Sequence, residues 1–307
     1  MRVPRYMLLI VPYLLMTALA PAPFALAQDD RLQIAVSTPL LADIVRNVTG
    51  EQADVFSVMP ENADPHTWEA SPQDIVRATE ADTFISIGAN LEPFVESGGW
   101  RRAVSDAGVA GLRLTDHVEL IEVDKVIDHG DHVHDLREGD SHIWLDPQKV
   151  IAGLPAIGAH LSDLDPGNAT AYGENVASYA ATLEDLDRDL EASFSAIPPE
   201  RRTLVVFHDA YTYFADRYGF DVVGVVLQNP EVEISAQEVM QLQEIIADHD
   251  VSVVFAEPQF NTDILDIFVQ ESDVVIAELL TDAFADRVDT YVELMRFNRD
   301  SLVAHLA

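Results

Sequence analysis

The sequence alternates short apolar runs with segments of helical spacing, and it does so on both sides of one long amphipathic stripe. In the first half, Leu32–Ser37 and Thr83–Ile87 are such apolar runs, and each precedes a helical or polar segment. In the second half, Thr203–Phe207 and Val251–Ala256 are equivalent runs. Parallel strands joined by right-handed helical crossovers produce this alternation. The sequence therefore predicts an α/β protein with two similar lobes, each built on a parallel sheet flanked by helices.

The stripe between the two halves is predicted to form one long helix. Asp165-Pro166 provides a cap and a first-turn proline, and Pro198-Pro199 ends the pattern. Its apolar positions recur every three or four residues: Tyr172, Val176, Tyr179, Leu183, Leu186, Leu190, Phe194 and Ile197. Such a helix reaches roughly 45 Å and could run along both lobes. We expect an N-terminal lobe at 28–164, a linking helix at 165–198 and a C-terminal lobe at 199–307.

Residues 1–27 have the features of a secretory signal peptide. Arg2 and Arg5 precede an apolar run, and Ala25-Leu26-Ala27 has the small-x-small pattern of a cleavage site. The apolar run is short for a membrane span, although an uncleaved anchor is the alternative. Because the sequence contains no cysteine, a lipid-modified cysteine is not expected. We expect export to the periplasm without a covalent membrane anchor.

The charge and composition of the chain exclude some partners and some kinds of site. The sequence has 53 acidic and 18 basic side chains, a formal net charge of −35. This charge repels phosphates, so nucleic acid is not an expected partner. The acidic residues are spread along the chain, which favours a solvated surface suited to salty surroundings over a dedicated cation-concentrating patch. Without cysteine, any metal must be held by nitrogen and oxygen atoms.

Several candidate metal ligands follow predicted strands or lie in loops. Because ligands of open α/β sheets bind beyond the carboxyl ends of the strands, these positions are candidates for a site. They are His66, His142, His208, Glu257 and Asp282. Three imidazoles and a carboxylate suit zinc, whereas Ca²⁺ and Mg²⁺ prefer oxygen ligands. Scattered single histidines are more often surface or core residues, so the spacing alone leaves that alternative open.

Four motifs carry these residues and occur in a fixed order along the chain. They are Pro65-His66 with Trp68-Glu69 and Ser71-Pro72, His142-Ile143-Trp144-Leu145-Asp146-Pro147, Phe207-His208-Asp209-Ala210-Tyr211, and Phe255-Ala256-Glu257-Pro258-Gln259-Phe260. Together they resemble the periplasmic zinc- and manganese-binding proteins of metal-uptake ABC transporters, especially the zinc-uptake (ZnuA-like) branch. The resemblance covers essentially the whole chain after residue 27. It implies two α/β lobes joined by a rigid backbone helix, with the metal in the cleft between them.

The resemblance also implies a role for each candidate ligand. His66 and His142 would be ligands from the N-terminal lobe, and His208 would be a ligand from the C-terminal lobe. Asp282 would match the family's C-lobe carboxylate, but its surroundings match less closely, so Glu257 or a water is the alternative fourth ligand. Glu257 is otherwise expected beside the site. Manganese-type members tend to have glutamate at the position of His208, and a third imidazole favours zinc.

These features together predict a transport function. We expect a monomer that captures Zn²⁺ with high affinity in the periplasm and delivers it to an inner-membrane ABC permease. A manganese-binding protein of the same family is the alternative. A mononuclear zinc hydrolase would also use three histidines, but the sequence lacks H-E-x-x-H, and its general-base candidates are only Glu69 and Glu257. A surface adhesin is a third alternative, against which the missing lipid-anchor cysteine argues. We therefore expect no enzymatic activity.

A second histidine-rich feature lies between the first two candidate ligands. The segment 128–135 reads Asp-His-Gly-Asp-His-Val-His-Asp. We expect a flexible loop that collects metal weakly through His129, His132 and His134, and the zinc branch often carries such a loop here. A solvated loop with incidental histidines is the alternative. The remaining histidines are not expected to bind metal: His117, His160, His249 and His305.

Overall fold

The computed structural model describes residues 31–122, 126–128, 133–135, 139–227, 234–260, 265, 274–285 and 287–307. Residues Arg31–Ala307 form one compact unit. The expected signal peptide at 1–27 lies outside the described residues. So does the helix predicted at 261–271, apart from Leu265.

The N-terminal lobe is built on a parallel sheet of four strands in the spatial order β2-β1-β3-β4. Its strands are β1 (Leu32–Val36), β2 (Ala53–Ser57), β3 (Thr83–Ser86) and β4 (Ala110–Arg113). Its helices are α1 (Pro39–Thr49), α2 (Pro72–Thr79), α3 (Pro93–Glu96) and α4 (Gly98–Ala107). The sequence Ser71-Pro72-Gln73-Asp74 predicts a capping box at the start of α2. The box is present, because Ser71 and Asp74 each accept a hydrogen bond from the other's backbone N–H. The sequence patterns missed α3 and α4, which are short and are separated by Ser97 at the cap of α4.

The segment 126–135 forms two short antiparallel strands, β5 (Val126–Asp128) and β6 (Val133–Asp135). Ile127 pairs with His134 in their register. The prediction of a flexible loop at 128–135 was therefore wrong at Asp128 and at Val133–Asp135, which pair as strands. His129 and His132 lie outside the described residues, and the structure describes only the backbone of His134.

Two long helices connect the lobes, α5 (Pro147–Leu164) and α6 (Ala169–Ser195). With 27 residues, α6 is about 40 Å long. It packs against α5, α1 and the C-terminal helix. The predicted start at Asp165 was wrong, because Asp165 ends α5 and its carboxylate instead accepts hydrogen bonds from Asn168 and from the Tyr172 hydroxyl.

The C-terminal lobe repeats the architecture, with a parallel sheet of four strands in the order β10-β9-β7-β8. Its strands are β7 (Thr203–His208), β8 (Asp221–Leu227), β9 (Val253–Ala256) and β10 (Val275–Glu278). Its helices are α7 (Thr212–Tyr218), α8 (Ala236–Asp248) and α9 (Tyr291–Leu306). The sequence patterns missed α7. They predict the last helix at 287–304, whereas α9 begins only at Tyr291, because Thr290 provides its cap. The predicted fold of two parallel α/β lobes is confirmed.

One continuous hydrophobic core joins the two lobes through α6. Side chains from β1, α6 and β7 contribute to it, such as Ile34, Leu186 and Val206. A shared, closely packed core of this kind holds the strand ends of the two sheets in a defined relation. Within the described residues, no helix is both long enough and apolar enough to cross a membrane.

Candidate metal site

Four side chains converge where the carboxyl ends of the two sheets meet. They are His66, His142, His208 and Asp282, and one ligand atom from each lies within 4.8 Å of the others. All four side chains are buried. The N-terminal lobe provides His66 from the loop between β2 and α2, and His142 from the segment before α5. The C-terminal lobe provides His208, the last residue of β7, and Asp282 from the segment after β10.

The distances between these atoms suit a small tetrahedral cation. The Nε2 atoms of His66 and His142 are 3.3 Å apart. Nε2 of His208 and Oδ2 of Asp282 are 3.4 Å apart. A tetrahedral zinc ion with bonds of about 2.0–2.1 Å places neighbouring ligand atoms about 3.3–3.4 Å apart. Some of the four ligand atoms are separated by up to 4.8 Å, so a bound zinc ion would draw these side chains closer together.

Three of the converging atoms lack a hydrogen-bond partner among the described residues. These are Nε2 of His208 and both carboxylate oxygens of Asp282, all of them buried. Leaving buried polar atoms unpaired costs about 1–3 kcal/mol each, so native proteins rarely do it without a reason. A bound cation would satisfy these atoms together. The donor set therefore fits a metal ion.

Two of the imidazoles are oriented by a carboxylate on the side away from the site. Nδ1 of His142 donates to Oδ1 of Asp140 at 2.8 Å. Nδ1 of His208 donates to Oε1 of Glu257 at 2.8 Å. A proton held on Nδ1 leaves Nε2 as the nitrogen that faces the site, which is the usual arrangement of metal-binding histidines.

Glu257 lies beside the site but does not join the four converging residues. One of its oxygens contacts His208. The other accepts hydrogen bonds from Nε2 of Gln259 at 2.9 Å and from the Thr281 hydroxyl. Of the two carboxylates that the sequence left as alternatives for the fourth position, Asp282 is the one that points among the imidazoles.

An aspartate two residues before each N-lobe histidine shapes its loop. The backbone N–H of His66 donates to Oδ1 of Asp64 at 3.0 Å. The backbone N–H of His142 donates to Oδ1 of Asp140 at 2.9 Å. Neither aspartate was among the residues that the sequence motifs predicted for the site. The repeated Asp-x-His spacing was the available signal, because aspartate commonly accepts a hydrogen bond from the backbone N–H two residues on.

Burial and mutual attraction shift the pKa values of the converging groups. Burial alone lowers the pKa of His208, but the charges of Glu257 and Asp282 outweigh it and raise that pKa to about 10. Burial likewise opposes protonation of His142, yet Asp140 beside it raises its pKa overall. Burial raises the pKa of Asp282 to about 6, against the attraction of His208 and His142. Without metal, the site therefore carries protons at neutral pH that an incoming cation must displace.

The histidines that were not predicted to bind metal have other surroundings. Nε2 of His160 lies 2.7 Å from the Thr83 hydroxyl. Nδ1 of His305 contacts the Ser301 carbonyl at 2.8 Å. Within the part of the chain that the structure describes, neither belongs to a group of three or more side chains arranged to hold a metal.

Two parallel α/β lobes that close on buried imidazoles and a carboxylate define a class of protein, the metal-binding solute-binding components of ABC transporters. The profile of the family described as "ZnuA: Zinc-uptake complex component A periplasmic" matches residues 34–305. The chain belongs to this family, as the sequence motifs predicted.

Named relatives support this assignment over nearly the full length. The chain is 30% identical over 283 residues to the manganese-binding lipoprotein MntA of Halalkalibacterium halodurans, covering 90% of this chain and 89% of the relative. It superposes on the periplasmic zinc-binding protein TroA from Treponema pallidum with a TM-score of 0.77 and 25% identity, covering 90% of this chain and 99% of that one. A crystal structure of ZnuA gives a TM-score of 0.76 and 27% identity, covering 91% and 100%.

Membership in this family sets the general function. The protein is the metal-binding, substrate-binding component of an ABC transporter, which implies a membrane permease as its partner and a metal ion as its cargo. Proteins of this family are not enzymes, so the hydrolase alternative is set aside.

Proposed function

We propose that this protein captures Zn²⁺ in the periplasm and delivers it, as a monomer, to an inner-membrane ABC permease. His66, His142, His208 and Asp282 are the proposed ligands. The observation that carries the proposal is their convergence within 4.8 Å, with buried atoms on His208 and Asp282 that have no hydrogen-bond partner among the described residues. The apolar run and small-x-small pattern within residues 1–27 support export.

The ligand set favours zinc over manganese. Three imidazole nitrogens and one carboxylate suit a tetrahedral zinc ion, whereas Mn²⁺ prefers more oxygen ligands and binds nitrogen sites more weakly. The second carboxylate that could add an oxygen, Glu257, is occupied by His208, Gln259 and Thr281. Manganese is the alternative cargo, because the relative from H. halodurans is named for manganese.

Capture requires the ion to exchange its water shell for protein ligands. The imidazoles must give up their protons, so zinc binding releases protons to solvent. The two lobes each contribute two ligands, so the ion bridges them. A permease that separates the lobes would therefore divide the ligand set and weaken its hold on the ion.

The proposal is tested by titrating the metal-free protein with Zn²⁺ and Mn²⁺ against a calibrated chelator. We expect one tight zinc site and Mn²⁺ binding weaker by at least about 100-fold, as the stability order of the two ions predicts. The same titration on His208→Ala should abolish tight binding. His249→Ala is the matched control, because His249 is exposed and outside the converging group.

The titrations test the choice of metal and the ligand assignment separately. Tighter binding of Mn²⁺ than of Zn²⁺ would overturn the choice of cargo and leave the metal site intact. A tight zinc site that is indifferent to His208→Ala would overturn the ligand assignment.

A further inference from the structure

A buried tyrosine joins the two segments that carry histidines from opposite lobes. Tyr213 lies in the first turn of α7, five residues after His208, and is 1% exposed. Its hydroxyl donates to the backbone carbonyl of Asp140 at 2.8 Å. The same hydroxyl accepts from the backbone N–H of Ile121 at 3.0 Å. A single side chain of the C-terminal lobe thus holds two backbone groups of the N-terminal lobe.

Asp140 connects this contact to the metal site. Its carboxylate accepts from both the backbone N–H and Nδ1 of His142. Its own backbone N–H donates to the Ile121 carbonyl at 3.0 Å, so Ile121 and Asp140 are paired directly. Any movement of Asp140 would therefore change the direction in which Nε2 of His142 points.

In the metal-loaded protein, the same two segments would be connected twice. The ion would join His142 to His208, and the Tyr213 hydroxyl joins Asp140 to the helix that follows His208. The bound ion and the Tyr213 hydroxyl would each stabilise the other's contact, because either connection lowers the entropy cost of forming the second one.

We propose that Tyr213 is a positioning residue for metal capture. Its hydroxyl holds the segment 140–142 against the segment 208–213 in the metal-loaded state, and this contact slows metal release. The inference rests on the proposed metal site. Coupling between two events is reciprocal, so if the hydroxyl strengthens metal binding, metal binding must strengthen the hydroxyl contact by the same factor.

Tyr213 offers a cleaner test than another contact that joins the two lobes. Nε1 of Trp144 donates to the Thr281 carbonyl at 3.0 Å and also joins segments that carry candidate ligands. Trp144 cannot lose its N–H without a change in ring shape, whereas Tyr213→Phe removes only the hydroxyl. The matched control is Tyr172→Phe, because the Tyr172 hydroxyl is also bonded, to Asp165 at 2.8 Å, where α5 meets α6.

The experiment measures zinc release from the loaded protein into excess chelator. We expect Tyr213→Phe to release Zn²⁺ about tenfold faster than wild type, the effect of losing about 1.4 kcal/mol of binding free energy. Tyr172→Phe should release it at the wild-type rate. A purely structural role for Tyr213 would lower the melting temperature of the metal-free and zinc-loaded forms equally and leave release unchanged, which would overturn the inference.

A second measurement on the unmodified protein tests the same coupling. Amide hydrogen exchange of Ile121 should slow when Zn²⁺ binds, by about the factor that Tyr213→Phe loses in affinity. Equal exchange with and without zinc would refute the coupling. If wild type itself binds no zinc, the proposed function fails; if it binds zinc tightly and Tyr213→Phe releases zinc at the wild-type rate, only the role of Tyr213 fails.

Discussion

The proton held by His208 should dominate the pH dependence of zinc binding. Glu257 and Asp282 raise its pKa to about 10, so at neutral pH the metal-free protein holds a proton on this ring. Displacing that proton at pH 7 weakens the apparent affinity by about three orders of magnitude, or about 4 kcal/mol. At pH 9 the penalty is about one order of magnitude, so this residue alone should strengthen apparent zinc binding about 100-fold between pH 7 and pH 9.

The same proton stabilises the metal-free fold with the opposite pH trend. A histidine whose pKa is raised by folding contributes stability that is fully present below its unfolded pKa of about 6.5. That contribution is lost as the pH rises through the folded value of about 10. Between these limits, the metal-free protein should become less stable while its apparent affinity for zinc increases.

Calorimetry in buffers of different ionisation enthalpy measures this proton directly. At pH 7 we expect at least about one proton to be released for each Zn²⁺ bound. Glu257→Gln removes the charge that raises the His208 pKa most, so it should reduce proton release and flatten the pH dependence. A wild-type heat that does not vary with the buffer, or an unchanged pH slope in Glu257→Gln, would refute the reasoning.

Three further predictions concern residues outside the four proposed ligands. Asp140→Asn should weaken zinc binding by about 10–100-fold in the chelator titration, because it removes the carboxylate that orients His142; unchanged affinity would contradict this role. Alanine at all three histidines of the segment 128–135 should remove weak zinc sites from the calorimetric stoichiometry and leave the tight site unchanged, whereas loss of the tight site would show that they are ligands. Asp187→Ala should lower the free energy of unfolding by about 3 kcal/mol in denaturant titrations, because it leaves the partly buried Arg217 without its main partner. A change under about 1 kcal/mol would show that water replaces that partner.

The features that the sequence predicted correctly depend on local periodicity and local caps. The apolar stripe from Tyr172 to Phe194 has a helical period, and those residues form a helix. The Ser71–Asp74 capping box is likewise contained within four residues. The general rule for parallel sheets predicts ligands beyond strand ends, and the structure has His208 as the last residue of β7.

The predictions that failed concern segments whose backbone conformation depends on a neighbouring helix or strand. Asp165 has the sequence signature of a helix start, but it is the C-terminal cap of α5. Its carboxylate accepts a hydrogen bond from the Tyr172 hydroxyl of α6. The segment 126–135 has a polar composition typical of a loop, yet its two ends pair as strands. Composition cannot decide such cases, because backbone pairing adds a partner that no local pattern contains.

The choice of the fourth converging residue was decided only by the tertiary structure. Asp282 and Glu257 both follow strands of the same sheet, and residue type does not distinguish them. Packing directs Glu257 to Nδ1 of His208 and leaves Asp282 facing the imidazoles. The contact of Tyr213 with Asp140, 73 residues away in sequence, has the same origin. The sequence determined the two lobes and the residue types that reach their strand ends, whereas the direction of each side chain depends on how the lobes pack, which no local period encodes.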